Sequence, residues 1–216
     1  MTGSAWTHAT WTPRSIAQGY ARGVGKVYDE IDDKLAAWIE AQHLFFVATA
    51  PLGADGHVNV SPKGDVRWFR ILGPHEVAYL DFVGSGAETI AHVRENGRIT
   101  VMLCAFEGPP RIVRLHGRAQ VLAADDPIAA AFDPPEHAVR SVIRIDLARI
   151  ADSCGYGVPL MRLDGKRTQY DAWVDKKVRD GGLDAYIAKK NARSIDGLPA
   201  VPSAAGRLDA DEVAGT

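Results

Sequence analysis

A serine and a lysine stand two residues apart in the stretch VNVSPKGDV, at residues 58–66. Ser61 offers a hydroxyl group and Lys63 an ammonium group, and a phosphate accepts charge-assisted hydrogen bonds from donors of this kind. Pro62 and Gly64 interrupt the strand pattern, because proline cannot donate to a sheet ladder and glycine weakens a strand. The stretch therefore predicts either an ordinary hairpin turn or a rigid bend that aims both side chains at an anion.

A second set of cationic side chains lies on the stretch RIVRLHGRAQVL, at residues 111–122. Its residues alternate between apolar and polar, as expected for a β-strand with one buried face. Arg114, His116 and Arg118 share the polar face, and Arg111 begins the stretch. This face is either the solvated outside of a barrel strand or a surface that meets an anion or another subunit.

A Gly-Ser-Gly sequence at 84–86 leads into a predicted helix over 85–96. Ser85 and Glu88 have the spacing of a capping box, which predicts that Ser85 is the N-cap residue. Free backbone N–H groups at a helix start also bind anions. Glycines before a helix form an ordinary turn in many proteins, so both interpretations remain.

Residue periodicity assigns the elements that must position these side chains. A helix is predicted over 27–42, where Tyr28, Ile31, Leu35 and Trp38 recur at helical spacing. Short strands with Gly and Pro between them are predicted at 44–50, 57–61, 66–72, 76–83, 98–105, 111–122 and 141–149. A helical region follows over 169–191. The pattern predicts a mainly β fold with flanking helices, in an antiparallel barrel or sandwich.

Composition excludes several classes of protein. The chain has 216 residues and a formal net charge of −2, so it lacks the basic excess of a nucleic-acid-binding protein. Its longest apolar run is too short to cross a membrane, and its first residues do not resemble a signal peptide. We therefore expect a cytoplasmic protein. Cys104 and Cys154 are not expected to form a disulfide, and the scattered histidines do not predict a zinc site.

The order of these segments resembles the pyridoxamine 5′-phosphate oxidase-like superfamily of flavin-binding split β-barrels. The resemblance covers about residues 27–150 and rests on NVSPKG, DFVGSG followed by ENGRITVML, and the pattern R-x-V-R-x-x-G-R-A. The segment DSCGYGVP, at 152–158, further resembles a branch of the superfamily found in bacteria and fungi. The resemblance implies a six-stranded antiparallel split β-barrel that forms a homodimer, with FMN in the groove between the subunits.

The resemblance also divides the chain and implies a set of cofactor-binding residues. Residues 1–26 are an N-terminal arm, 27–150 the flavin-binding domain, 151–193 a helical extension and 194–216 a flexible tail. Ser61 and Lys63 are placed where relatives anchor the flavin phosphate. Further cofactor-binding candidates are Asp81, Phe82 and Val83 beside the flavin ring, Ser85 and Thr89 at the helix start, and Arg111 and Arg114 near the phosphate or the flavin carbonyl groups.

Three departures from the true oxidases make vitamin B6 oxidation an unexpected activity. The Ser-Arg-Lys run of those enzymes falls on Ala87, Glu88 and Thr89, and their flavin-contacting glutamine falls on Ile112. Their C-terminal substrate-binding segment has no match. We expect an FMN-dependent oxidoreductase of an unknown small molecule, without an assigned catalytic residue or metal. The alternatives are a deazaflavin-dependent reductase, or a non-catalytic protein that binds flavin or heme, with His92 or His116 as a heme ligand.

Overall fold

A computed structural model describes residues 25–133 and 138–201 of the chain. The described residues contain eight β-strands: β1 (Val27–Tyr28), β2 (Leu44–Thr49), β3 (Asn59–Gly64), β4 (Phe69–Gly73), β5 (Glu76–Phe82), β6 (Arg98–Cys104), β7 (Ile112–Leu122) and β8 (Val139–Ser153). Four α-helices accompany them: α1 (Asp33–Glu40), α2 (Glu88–Asn96), α3 (Gln169–Arg179) and α4 (Leu183–Lys190). Short 3-10 turns lie at Val66–Trp68 and Pro127–Ala131.

The strands form one antiparallel sheet in the order β3–β2–β6–β7–β8–β5–β4, and β1 pairs with the end of β8. The inward side chains of β2, β5, β6, β7 and β8 meet in one hydrophobic cluster, so the sheet curls into a half-barrel around it. The predicted mainly β, antiparallel fold with flanking helices is confirmed. The described residues contain eight strands, whereas the resemblance implied six.

The core forms where the apolar faces of the helices cover the inside of the curled sheet. Phe45 and Tyr79 are fully buried, with ring centroids 5.4 Å apart. Leu35 of α1 and Ile90 of α2 are buried in the same cluster. Helical spacing places such residues on one side of each helix, and their burial removes apolar surface from water.

The first helix begins later than the sequence periodicity predicts. Val27 and Tyr28 form β1 against β8, and the helix starts only at Asp33. Asp32 is its N-cap, because the Asp32 side chain accepts a hydrogen bond of 2.8 Å from the backbone N–H of Leu35. The periodic residues before this cap are therefore not helical.

The predicted break at Pro62 is also wrong. Strand β3 runs without interruption from Asn59 to Gly64, paired with β2. It is the edge strand of the sheet, a position where proline is tolerated because no neighbour requires its missing N–H. The turn follows one residue later, at Asp65, where φ is 64°. The continuous strand places Ser61 and Lys63 on one face of the sheet.

The C-terminal end differs from its prediction as well. Ala200 and Val201 are 2% and 3% exposed and belong to the main core, so the predicted tail does not begin at residue 194. Most of the predicted N-terminal arm and the rest of the tail lie outside the described residues. Cys104 and Cys154 are both free, as predicted. Within the described part of the chain, no helix is long and apolar enough to span a membrane.

Candidate functional site

The inward face of β3 carries only polar side chains, whereas the inward faces of its neighbours are mainly apolar. Asn59, Ser61 and Lys63 lie opposite Thr49, Val47 and Phe45 in the register with β2. Alternation along the strand turns these three side chains toward the inside of the half-barrel. There they meet polar groups from β5, β8 and α2. We call this set the polar seam; its members are Thr49, Asn59, Ser61, Lys63, Asp81, Thr89, His92 and Arg140.

A buried carboxylate with two cationic partners occupies one end of the polar seam. Asp81 of β5 is 0% exposed, and its Oδ2 accepts hydrogen bonds of 2.9 and 2.7 Å from Nε and Nη2 of Arg140. The Lys63 ammonium nitrogen lies 3.1 Å from Asp81 Oδ1. Burial alone would raise the pKa of the Asp81 carboxyl, but Arg140 and Lys63 outweigh it and hold that pKa below its usual value.

The two cations differ in their access to a ligand. The Arg140 side chain is 4% exposed and also donates to the backbone oxygen of Gly86 at 2.9 Å. The Lys63 side chain is 24% exposed and projects from the edge strand. One carboxylate neutralises only one of two positive charges, so the cluster carries one excess positive charge. The lysine has the accessible ammonium group, with donors that Asp81 does not use.

The start of α2 adds backbone donors to the polar seam. The helix begins at Glu88, and its N-cap residue, Ala87, provides no side-chain hydrogen bond. The predicted capping role of Ser85 is therefore wrong, and Ser85 lies exposed in the loop before the helix. Glu88 Oε1 accepts a hydrogen bond of 3.3 Å from the backbone N–H of Ile195, so its carboxylate contacts the C-terminal segment and does not cap its own helix.

Thr89, in the first turn of α2, joins the helix to β3. Its hydroxyl oxygen accepts a hydrogen bond of 3.1 Å from Asn59 Nδ2, which lies 3.1 Å from Thr49 Oγ1 as well. Ser61 donates to Asn59 Oδ1 at 2.9 Å. The structure thus brings the predicted residues Ser61, Lys63, Asp81 and Thr89 together in one seam.

The end of β5 is covered by the C-terminal helices. The Tyr170 hydroxyl donates to the Val83 backbone oxygen at 2.9 Å. The Val83 N–H donates to the backbone oxygen of Ala138 at 2.8 Å. The Phe82 ring packs edge-on against Trp68 and Tyr170. Both backbone groups of Val83 therefore already have partners within the chain.

The two predicted arginines of the β7 region lie in separate clusters. Arg111 stacks over the Trp38 ring at 4.9 Å and donates to Asp152 at 3.2 Å. Arg114 points to the opposite face of the sheet and donates to Ser153 at 3.1 Å. Strands β3 and β7 are three strand spacings apart, which is roughly 14 Å measured along the sheet between their backbones.

A half-open cavity of about 530 Å³ lies beside Arg111 and away from the polar seam. The end of α1 and the hairpin between β6 and β7 line it, with Trp38, His43, Phe106 and Glu107 among the lining residues. It contains none of the residues that form the Lys63–Asp81–Arg140 cluster. The candidate site is therefore the polar seam, whose charged side chains can bind an anion.

The two histidines considered as heme ligands both have hydroxyl partners. His92 is 0% exposed, with Nδ1 3.0 Å from Thr49 Oγ1. His116 Nδ1 lies 3.1 Å from Thr100 Oγ1, on the outer face of the sheet. Among the described residues, no group of three metal-ligating side chains is found.

Sequence reasoning missed Arg140 and Asn59, which hold the polar seam together. Arg140 directly precedes the strand predicted at 141–149, and its pairing with Asp81 depends on the register between β5 and β8. Asn59 belonged to the alternating pattern before Ser61, and that pattern alone could have placed it on the same face.

The chain is similar to proteins of known family. Residues 31–154 match the family model described as pyridoxamine 5′-phosphate oxidase. A pyridoxamine 5′-phosphate oxidase family protein from Aspergillus flavus, ustO, is 39% identical over 82% of this chain and 78% of its own length.

Solved structures with low sequence identity resemble part of this chain. One is the FAD binding protein from Mycobacterium smegmatis, with 12% identity, a TM-score of 0.42, and coverage of 59% of this chain and 96% of that protein. Another is a FAD-binding protein from Mesorhizobium loti, with 14% identity, a TM-score of 0.39, and coverage of 60% and 97%.

Proposed function

Because this chain belongs to the pyridoxamine 5′-phosphate oxidase family, we propose that it binds FMN at the polar seam and acts as an FMN-dependent oxidoreductase on a small molecule. The observation that carries the proposal is the pair of cations on one buried carboxylate, of which Lys63 is accessible. The excess positive charge matches the phosphate of FMN, which is anionic at neutral pH. Riboflavin lacks that phosphate, so the excess positive charge would not strengthen its binding.

The proposed phosphate site combines three kinds of donor. Lys63 supplies an ammonium group, and Thr89 supplies a hydroxyl group from the first turn of α2. The backbone N–H groups of that turn receive no side-chain cap from Ala87, and helix starts of this type favour anions. Arg140 holds Asp81 in place and keeps the carboxylate from neutralising the whole cluster.

We also propose that the working unit is a homodimer. Two valines are exposed at β3: Val58, directly before the strand, is 70% exposed, and Val60, on its outer face, is 62% exposed. Such apolar side chains on an edge strand are covered in many proteins by another chain, and a two-fold dimer is the commonest soluble oligomer. Arg114 lies on this outer face. In a dimer it is therefore available to the partner, whereas Lys63 lies on the inner face of the sheet.

Bound FMN would supply the hydride or electron transfer, and the protein would bind and orient it. Lys63 and Thr89 would fix the phosphate end. Phe82, Trp68 and Tyr170 form an aromatic wall at the end of β5, near the loop that leads to α2. Tyr170 is a poor proton donor, because burial raises its pKa, which the charge of Asp81 raises further.

The heme alternative has less support from the described residues. His92 is fully buried, and its Nδ1 is hydrogen-bonded to Thr49. It therefore cannot coordinate a heme iron unless the core opens. A deazaflavin cofactor also carries phosphate, so the polar seam is compatible with both flavin types. Titration with FMN, riboflavin and a deazaflavin cofactor would distinguish them.

The test is the ratio of FMN to riboflavin affinity in a Lys63→Met variant. We expect FMN binding to weaken about 10- to 100-fold, the effect of a lost hydrogen bond to a charged group of roughly 1.5–3 kcal/mol. Riboflavin binding should stay within about twofold, since the methionine keeps the aliphatic part of the side chain. The matched control is Lys176→Met, on the exposed face of α3.

Equal losses for FMN and riboflavin would contradict the phosphate role of Lys63. Sedimentation of the protein at micromolar concentration tests the dimer separately, and a monomer that still binds FMN would contradict the shared groove alone. If the native protein binds neither flavin, the proposed function is wrong as a whole.

A further inference from the structure

A row of hydrogen bonds connects the ligand side of the polar seam to a histidine in the core. It runs from Ser61 to Asn59, from Asn59 to both Thr49 and Thr89, and from Thr49 to His92. The donor–acceptor distances lie between 2.9 and 3.1 Å. Thr49, Thr89 and His92 are 4%, 5% and 0% exposed, so water does not supply alternative partners freely.

The number of hydrogens that each group owns limits the directions that this row can take. An amide nitrogen only donates, an amide oxygen only accepts, and a hydroxyl group has one hydrogen to give. Asn59 Nδ2 donates its two hydrogens to Thr49 and Thr89, and Asn59 Oδ1 accepts from Ser61. Thr49 is therefore an acceptor toward Asn59, and its own hydrogen is free to be donated to His92 Nδ1, which lies 3.0 Å away.

Two consequences follow for the ends of the row. When Thr49 donates this hydrogen, His92 is unprotonated at Nδ1 and carries its own hydrogen on Nε2. At the other end, the hydrogen of Ser61 is committed to Asn59, whereas the hydrogen of Thr89 is not used within the row. Ser61 therefore presents only lone pairs to a ligand, and Thr89 presents a donor.

We propose that His92, Thr49 and Asn59 are positioning residues that set the polarity of the seam, that is, the direction of its hydrogen bonds. As a result, Thr89 donates a hydroxyl hydrogen to the ligand phosphate, and Ser61 accepts a hydrogen from a ligand hydroxyl group. The ligand part of this inference rests on the proposed function; the hydrogen positions do not. The resemblance implied that Ser61 and Lys63 share the phosphate, with Thr89 among the further cofactor-binding candidates. The network assigns the hydroxyl donor to Thr89 and not to Ser61.

Burial keeps His92 neutral, which the assigned polarity requires. Desolvation lowers the pKa of His92, and the carboxylates of Asp196, Glu88 and Glu95 oppose that effect without overcoming it. A protonated imidazole would donate from Nδ1 and release the Thr49 hydrogen, which could then be donated to Asn59 Oδ1 if the amide turned over. The constraint that His92 places on the row would be lost. His92 Nε2 has no hydrogen-bond partner in the described part of the chain, so Thr49 is the contact that selects the tautomer.

The first experiment reads the tautomer of His92 in the cofactor-free protein by ¹⁵N NMR of its imidazole nitrogens. Comparison with a His92→Asn variant identifies its signals among the seven histidines. We expect the nitrogen bonded to Thr49, Nδ1, to be the unprotonated one. A hydrogen on Nδ1 would mean that Thr49 does not donate to His92, so that His92 does not fix the direction of the row, and it would overturn the proposal. This measurement does not depend on flavin binding.

The second experiment compares the FMN-to-riboflavin affinity ratios of Thr89→Val and Ser61→Ala. We expect Thr89→Val to lower the ratio about tenfold or more and Ser61→Ala to change it by less than about twofold, because only Thr89 donates to phosphate. Thr89→Ser keeps the hydroxyl group and should retain most of the ratio. A larger effect for Ser61→Ala would refute the assignment.

An Asn59→Asp variant tests whether Asn59 sets the polarity. A carboxylate has no hydrogen to give, so both threonines would have to donate to it and Thr89 would lose its free hydrogen. In this background, Thr89→Val should no longer lower the FMN-to-riboflavin ratio relative to Asn59→Asp alone. If Thr89→Val has the same effect in both backgrounds, Asn59 does not position Thr89. If the native protein binds no flavin, the proposed function fails, and the NMR result alone decides the tautomer.

Discussion

The buried cluster of Asp81, Arg140 and Lys63 makes a strong prediction about stability. Asp81→Asn keeps the size of the side chain but removes its charge, which leaves the Arg140 guanidinium, 4% exposed, without a carboxylate. Removing one partner of a buried ion pair costs about 3–5 kcal/mol, because the remaining charge is uncompensated. Lys63 adds little to this cost, since its ammonium group can turn toward solvent.

For a chain of this size, the loss corresponds to a decrease in Tm of roughly 6–20 °C. Denaturant unfolding and calorimetry of the cofactor-free protein measure both quantities. The matched control is Asp146→Asn, which removes a carboxylate 62% exposed and 3.6 Å from Arg144. That surface pair should contribute less than about 1 kcal/mol.

The pH dependence of stability gives an independent check on Asp81. Its carboxyl has a pKa below the usual value in the folded protein, so its contribution is present above the unfolded pKa of about 4 and is lost as the pH falls through the folded value. Asp81→Asn should flatten the acid side of the stability profile.

A second substitution separates charge compensation from simple disruption of packing. In the Asp81→Asn, Arg140→Gln double variant no uncompensated guanidinium remains, so part of the lost stability should return. The reasoning is refuted if Asp81→Asn costs no more than Asp146→Asn, or if the double variant is less stable than the sum of its single effects predicts.

Two further outcomes follow from other groups near the polar seam. The Tyr79 hydroxyl is buried without a hydrogen-bond partner among the described residues, so Tyr79→Phe should raise the free energy of unfolding by up to about 2 kcal/mol; a loss of stability would reveal a partner. Arg67 and Lys166 hold the pKa of Asp65 at about 2, against the effect of burial. Its ion pairs should therefore persist until the pH falls from about 4 toward 2, and Asp65→Asn should remove that acid transition in calorimetry.

Local patterns were sufficient to predict the main strands and their inward faces. The alternation in residues 111–122 matches β7, and its apolar residues Val113 and Leu115 are fully buried. Alternation is a property of neighbouring residues, so a single sequence contains it. The same property placed Ser61 and Lys63 on one face.

The partners of those side chains depend on distant pairings. Lys63 meets Asp81 only because β3 and β5 face each other across the curled sheet, and Asp81 meets Arg140 through the register in which Asp81 pairs with Ser141. No local pattern encodes that register. For the same reason Pro62 suggested a break, since only the sheet order shows that β3 is an edge strand.

Glu88 gives the most direct test of where the phosphate lies. It occupies the first position of α2, where the resemblance implies an arginine. Its carboxylate contacts the backbone of Ile195. At roughly 10 Å and an effective dielectric constant of about 30, each unit of charge changes the interaction with one phosphate charge by about 1 kcal/mol.

Glu88→Gln should therefore tighten FMN binding about sixfold at low salt, because it removes one unit of repulsion. Glu88→Arg should tighten it about fortyfold, because it also adds one unit of attraction. Added salt should reduce both effects, since mobile ions screen exposed charges beyond about 10 Å. Riboflavin affinity measures any structural effect of losing the contact with Ile195, and it should not change. If FMN affinity is the same in all three proteins at low salt, the phosphate does not lie at the start of α2. The positive charge of Lys63 would then serve Asp81 alone.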